Sequence, residues 1–294
     1  IAFGGNGPPG AKAVATEEWD FTSLRPGGAW SSGGALNTGR HASSGFGTLT
    51  AGGAVGGGPG NVVNVELYDG SSWTETGNIS VGRDSGAGAG PQTAGLYMGG
   101  QGSPGRVKTV EEFNGTGWSN GGDLNVGHGT GGGFGTQTAA VMASGADGGA
   151  ALVKAEEYNG TAWTESGDIN QARIEFSGTG VESAGVIMAG RSATALLTEI
   201  EEYDGSSWTE IADISTARKH TGGSGLVTVA LCIGGQNLDG SSAVVGTEQF
   251  NGTAWTEKAD LSTARGAGSA SPQATGNEAF YAGGPPALVN TEEW

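Results

Sequence analysis

Hydrophobic positions in this chain come in short runs, such as Val229-Ala230-Leu231-Cys232-Ile233, separated by glycine-rich and polar turns. No segment carries a sustained apolar period of 3.6 residues, so almost no helix is predicted. The most regular stretch is Glu201-Glu202-Tyr203-Asp204-Gly205-Ser206-Ser207-Trp208-Thr209-Glu210. Alternation along a strand puts the first Glu and the aromatic on one face. Close copies recur at Glu66-Leu67-Tyr68, Glu111-Glu112-Phe113, Glu156-Glu157-Tyr158 and Glu248-Gln249-Phe250, each followed by a tryptophan. A looser copy runs from Glu17-Glu18-Trp19 to Trp30, and the chain stops inside another at Glu292-Glu293-Trp294. The Asp-Gly and Asn-Gly pairs within these units (Asp69-Gly70, Asn114-Gly115, Asn159-Gly160) are strong hairpin-turn signals.

Each repeat reads as four short strands. The first follows an arginine slot: Arg40, Arg83, His128, Arg173, Arg218 and Arg265. The second ends in a double glycine or its relic, at Gly4-Gly5, Gly52-Gly53, Gly99-Gly100, Ser144-Gly145, Ala189-Gly190, Gly234-Gly235 and Gly283-Gly284. The third carries the Glu-x-aromatic element, and the fourth opens at the tryptophan. Trp73, Trp118, Trp163, Trp208 and Trp255 are about 45 residues apart, a period in the range of propeller blades. The repeat covers nearly all of residues 1–294, which makes one all-β domain. The double glycine and the Glu-aromatic element occur seven times, the arginine slot six. Seven blades, the first and last incomplete, is the favoured count; six, with two strands left over, is the alternative.

Composition sharpens this picture. Glycine stands at 61 residues, and each glycine in regular structure costs roughly 0.5–1 kcal/mol relative to alanine. There is no Gly-X-Y period, and regularly spaced tryptophans argue against a disordered linker. Crowding at a central axis supplies the steric reason, because the first strands are the small ones: Gly86-Ala87-Gly88-Ala89-Gly90, Gly131-Gly132-Gly133 and Gly266-Ala267-Gly268. Farther out, aromatic rings fill the space between diverging sheets, where truncating one tryptophan costs about 3–5 kcal/mol. The formal charge of −17 disfavours nucleic acid and anionic membranes as partners. No run of 18 apolar residues appears, so no membrane insertion is expected. The single cysteine, Cys232, sits in an apolar run and supports no disulfide framework. The chain opens on Ile1, inside a repeat, which leads to the expectation of a fragment of a longer protein.

A double glycine, an aromatic on the third strand and a tryptophan opening the fourth resemble the kelch repeat of β-propellers. The resemblance covers essentially the whole chain. The phrases Asn159-Gly160-Thr161-Ala162-Trp163-Thr164-Glu165, Thr216-Ala217-Arg218 and Thr136-Gln137-Thr138-Ala139 also resemble kelch-like arrays in structural and tail-fibre proteins of marine bacteriophages. The first resemblance implies a propeller in which the loops between strands two and three share a face with the loops joining blades, the face that commonly binds partners.

Candidate chemistry is sparse. Arginine and glutamate recur once per blade, which fits ion pairs locking neighbouring blades better than a ring around an anionic ligand. Arg83, Arg173, Arg218 and Arg265, with the five regularly spaced tryptophans, are therefore assigned structural inter-blade roles. The Asp204-Gly205-Ser206-Ser207-Trp208 turn is one residue short of a sialidase Asp-box. A galactose-oxidase-like copper site needs histidines and tyrosines in register, but His41, His128 and His220 stand at inequivalent offsets. Asp123, Asp168, Asp213 and Asp260 lie one per blade, where turn capping explains them better than calcium. The Gly127-x-Gly129-x-x-Gly132 match lacks a strand–helix context. The Asn-Gly-Thr sequons at Asn114, Asn159 and Asn251 alternate with Asp-Gly-Ser in the same slot, so turn chemistry explains them.

The variable loops between strands two and three remain, with Asn6, Gln101, Arg106, Asp147, Arg191, Gln236, Asn237 and Asp239 as candidate binding residues. Loops on a rigid scaffold are where recognition usually lives. The expectation is a non-enzymatic structural or interaction module of a virion, in a tail or fibre, without cofactor, on the virion or an extracellular surface. It would bind a host-surface glycan or a neighbouring virion protein. A secreted carbohydrate-active or oxidase propeller and a bacterial surface adhesin are the alternatives.

Overall fold

The computed structural model describes residues 28–148 and 150–294. The described residues form 24 short strands and no helix. The first strand, β1, is Ser31–Ser32. Five antiparallel meanders of four strands follow. They are β2 to β5 (Ser44–Thr48, Ala51–Val55, Val65–Tyr68, Trp73–Glu75) and β6 to β9 (Ala87–Ala89, Leu96–Met98, Val110–Phe113, Trp118–Asn120). Next come β10 to β13 (Gly132–Thr136, Ala139–Ala143, Ala155–Tyr158, Trp163–Glu165) and β14 to β17 (Ser177–Val181, Ala184–Met188, Ile200–Tyr203, Trp208–Ile211). The fifth is β18 to β21 (Gly222–Leu226, Val229–Ile233, Thr247–Phe250, Trp255–Glu257). The last sheet takes β22 to β24 (Ser269–Ala270, Phe280–Ala282, Thr291–Glu293) from the end of the chain, and β1 from its beginning pairs with β24.

The innermost strands contact one another in the cyclic order β2, β6, β10, β14, β18, β22 and back to β2. The molecule is a six-bladed β-propeller. Of the two counts the repeats allow, six is realised and the favoured seven is not. The reason is how the ends meet: Trp30 opens the missing fourth strand of the last blade, so that blade is completed from within the described residues. The Gly4-Gly5 and Glu17–Trp19 elements, the strands left over in a six-blade count, lie outside the described residues.

The core is six wedges, one between each pair of neighbouring blades. Between the first two blades Phe46, Val55 and Val65 meet Ile79, Tyr97 and Phe113; between the third and fourth Phe134 and Val141 meet Ile187, Tyr203 and Trp208. Within each blade the third-strand aromatic lies against the fourth-strand tryptophan, as in Tyr68–Trp73 and Tyr203–Trp208 at 4.7 Å. Phe280, Phe46 and Phe134 of the preceding blade set their ring edges against Trp73, Trp118 and Trp208. Nearer the axis there is no room for a side chain. A Cβ on Gly45 would stand 1.8 Å from the Ala270 carbonyl oxygen of the neighbouring inner strand, and one on Gly88 2.3 Å from that of Gly45.

The double glycine is an inter-blade hinge point. Its second residue donates its N–H to the carbonyl of the next blade's arginine-slot residue in all six blades: Gly57 to Arg83, Gly100 to His128, Gly145 to Arg173, Gly190 to Arg218, Gly235 to Arg265 and Gly284 to Arg40. The geometry requires φ between +97° and +125° at these positions, which glycine adopts without penalty. In the first blade this slot belongs to Gly56-Gly57; Gly52-Gly53, assigned to it from the sequence, lie inside β3.

Beneath each hinge lies a buried ion pair within one blade. Arg40–Glu66, Arg83–Glu111, Arg173–Glu201, Arg218–Glu248 and Arg265–Glu292 are almost fully excluded from solvent. The carboxylates also accept amides of the segment arriving from the blade before, such as Asn37, Ser80 and Asn170. Each pair thus pins the crossover rather than bridging two sheets directly. In the third blade His128 replaces arginine, with Nε2 3.1 Å from Glu156 and Nδ1 2.6 Å from the Ser144 carbonyl. Burial pushes the Glu156 carboxyl up, but His128 and the Asn125 and Val126 amides outweigh it and hold the group below its ordinary value.

Candidate functional site at the mouth of the axial channel

The antiparallel order of each blade divides the loops between two faces. The turns between third and fourth strands lie on one face and are nearly identical. In 69–72, 114–117, 159–162, 204–207 and 251–254 an Asp or Asn side chain accepts the amides of the third and fourth turn residues. Those donors hold Asp69 and Asp204 at about 2. The other face collects the blade crossovers and the loops between second and third strands, which range from 283–290 to 234–246.

On this loop face the residue two positions after each arginine slot faces the axis. These residues are Ala42, Ser85, Thr130, Glu175, His220 and Ala267, and all have φ between +51° and +62°. Each donates its amide to the carbonyl of the equivalent residue one blade back. Ser85 bonds to Ala42, Thr130 to Ser85, Glu175 to Thr130, His220 to Glu175, Ala267 to His220 and Ala42 to Ala267, at 2.6–2.8 Å. Six backbone hydrogen bonds therefore close a continuous ring around the axis.

Below the ring is a cavity of about 110 Å³ lined by the small residues of all six inner strands, together with Phe176 and Pro272. Hydroxyl pairs Ser43–Ser269 and Ser177–Thr221, each at 2.9 Å, stitch its wall. The far end is plugged by the last blade. Gln273 donates its amide to Gly47 in the first blade and its Nε2 to Gly135 in the third, crossing the axis. Among the described residues the channel is closed at that end.

Ionisable groups gather on one sector of the ring. The Glu175 carboxylate accepts Arg191 Nε and Nη2 at 2.8 and 3.0 Å, and Lys219 Nζ at 2.9 Å. His220 Nε2 stands 3.9 Å from the same carboxylate, and its Nδ1 is 2.9 Å from Gln236 Oε1. Burial alone would raise the Glu175 carboxyl, but the Arg191 hydrogen bonds, with His220 and Lys219 beside them, hold it down at about 2. For His220 burial wins over Glu175 and Gln236 and lowers the imidazole below its ordinary value.

Arg191 and Gln236 among the sequence-derived candidates thus come together with Glu175, Lys219 and His220, which sequence reasoning had not assigned to a site. Gln101 pairs with both Asp84 and Arg106 in the second blade's loop. The Arg106 side chain lies over Gly129, where a Cβ would meet its Cδ at 2.6 Å, and its buried Nε has no partner. Asp239 and Asn237 accept amides of Ser241 and Ser242 within their own loop. Asp147 is an exposed loop residue, and Asn6 lies outside the described residues. The signal that could have found Glu175 and His220 is their shared repeat position, filled elsewhere by Ala, Ser or Thr. The chain matches no protein-family model and no curated protein.

Proposed function

We propose that this propeller is a non-enzymatic recognition module whose loop face binds a host-surface glycan or a neighbouring virion protein. In this reading its repeats are of kelch type, and it serves as a structural part of a phage tail or fibre, outside the cell. The observation that carries the reading is the asymmetry of the two faces. Uniform Asx-capped turns cover one, while unequal loops around a charged axial mouth cover the other. A scaffold with six interlocked blade interfaces holds those loops in fixed positions, the arrangement in which recognition surfaces are built. The resemblance of the repeat phrases to phage kelch-like arrays supports the virion assignment.

The test is a glycan array probed with the purified propeller, alongside variants altered on either face. Binding that is lost on changing Arg191 and Gln236 but kept on changing Ser71 and Ser206 is the expected result. Turnover of a sugar, alcohol or sialoside at a rate abolished by a point substitution would overturn the reading in favour of an enzyme.

A further inference from the structure

We propose that the axial mouth is a binding site for an acidic sugar, with the ligand's carboxylate received by Lys219 and Arg191. This inference rests on the recognition reading above and names its ligand class.

The first argument is backbone strain at the ring. A non-glycine residue in the left-handed region costs on the order of 1 kcal/mol relative to glycine. The chain has 61 glycines, yet it places none of them at these six positions, all with φ between +51° and +62°. Side chains are kept there against a local penalty, at the entrance of a cavity. The ring's own N–H groups are all engaged in the ring, so an anionic ligand finds no free backbone donor on it.

The second argument is charge. Five of the described arginines are buried in the blade pairs and unavailable to any ligand. In this sector of the mouth Arg191 and Lys219 face the Glu175 carboxylate, a local excess of one positive charge in a molecule of formal charge −17. The ring's other neighbouring carboxylate, Asp84, accepts the Ser85 hydroxyl two blades away. Lys219 is nine-tenths buried, with its Nζ 2.9 Å from the Glu175 carboxylate. Glu175 lines the cavity and both cations stand directly on its carboxylate, so a second carboxylate arriving beside Glu175 would come within reach of charge-assisted hydrogen bonds from them. The cavity beneath, walled by Ser and Thr hydroxyls and glycine backbone, suits the hydroxyl groups of a sugar. Its volume of about 110 Å³ admits part of one residue, so a glycan would enter by an end and not by its length.

The experiment is calorimetric titration of the propeller with a galacturonate trisaccharide and with the neutral galactose trisaccharide of the same linkage. The acidic sugar is expected to bind at least tenfold more tightly. Lys219→Gln and Arg191→Gln should each weaken it tenfold or more, and Lys258→Gln, on the outer edge, should leave it unchanged. Glu175→Gln removes the competing carboxylate and is expected to tighten the acidic sugar at least threefold, which a merely structural role would not produce. Equal binding of both sugars, lost with the loop-face variants, would overturn acid selection and leave glycan recognition standing. Acidic-sugar binding unaffected by Lys219→Gln, or no binding of either sugar, would overturn this site. In the latter case the glycan array decides separately whether the loop face recognises glycans.

Discussion

Trp30 and Trp294 lie against each other with ring centroids 5.4 Å apart, one from each end of the described chain. Five other blades hold the same cross-strand aromatic contact between residues of a single hairpin, as in Tyr158–Trp163 at 4.9 Å. Here the contact joins β1 to β24 and converts a row of sheets into a ring. Trp30 Nε1 also donates to Thr247 Oγ1 of the fifth blade at 3.0 Å. Closure covers the faces of the first and last sheets, which an open row would leave to solvent.

Replacing Trp30 should therefore loosen the whole ring. Trp30→Ala is expected to lower unfolding stability by about 3 kcal/mol, the range for truncating a packed tryptophan. A urea titration followed by tryptophan fluorescence measures it. A loss below about 1 kcal/mol would mean that the six inner strands close the ring without the latch.

The buried arginine–glutamate pairs make a second prediction. Removing one partner leaves an uncompensated buried charge, which costs about 3–5 kcal/mol. Arg83→Met should fall in that range, since Glu111 keeps only amide donors such as Ser80. Arg83→Met combined with Glu111→Leu should be less destabilising than the two single losses summed. A double-mutant cycle from denaturant midpoints gives the coupling.

How much of this was legible beforehand depends on whether a feature repeats. Glycine at the inner strands, aromatics farther out and the recurring Arg–Glu pair are imposed by the same geometry in every blade, so the sequence displays them several times over. The blade count was not settled that way, because it turns on a single event, the pairing of Ser31–Ser32 with Glu292 and Glu293. The axial plug escaped notice for a similar reason: Gln273 occupies a turn unlike its counterparts and reaches Gly135 across the molecule. Glu175 and His220 stand out from the Ala, Ser and Thr at their repeat position, but that contrast gains meaning only from the left-handed backbone that turns the position towards the axis.

The mouth cluster predicts a pH dependence. Glu175 is held at about 2 by Arg191, Lys219 and His220, below the ordinary glutamate value, so the folded state binds fewer protons there than the unfolded chain. That stability, about 3 kcal/mol, is present above pH 4.5 and lost as the pH falls from there towards 2. His220 adds a change of the same sign, since burial lowers its value: stability declines as the pH drops below 6.5. Glu175→Gln should flatten the acid limb of a stability-versus-pH curve, and Lys219→Gln should reduce it. An unchanged limb in Glu175→Gln would show that the ion cluster contributes no net stability.

Four of the six outer blade interfaces carry a two-residue code that can be transplanted; the other two set Glu202 opposite Phe250 and Gln249 opposite Trp294. Tyr158 donates its hydroxyl to Glu112 of the preceding blade at 2.6 Å, and Tyr203 does the same to Glu157, Tyr68 to Glu293. Between the first and second blades both members change together: Phe113 has no hydroxyl, and Leu67 replaces the acid and packs against its cluster. A half-buried carboxylate whose donor is removed loses a hydrogen bond to a charged group, which costs about 1.5–3 kcal/mol. Tyr158→Phe should therefore destabilise by about 1.5 kcal/mol. Adding Glu112→Leu rebuilds the Leu67–Phe113 combination at this interface and should recover most of the loss, because an apolar pair leaves no group unsatisfied. Thermal unfolding of the two single variants and the double decides it. A double variant as unstable as the summed singles would mean that the apolar pairing depends on surroundings peculiar to the first interface.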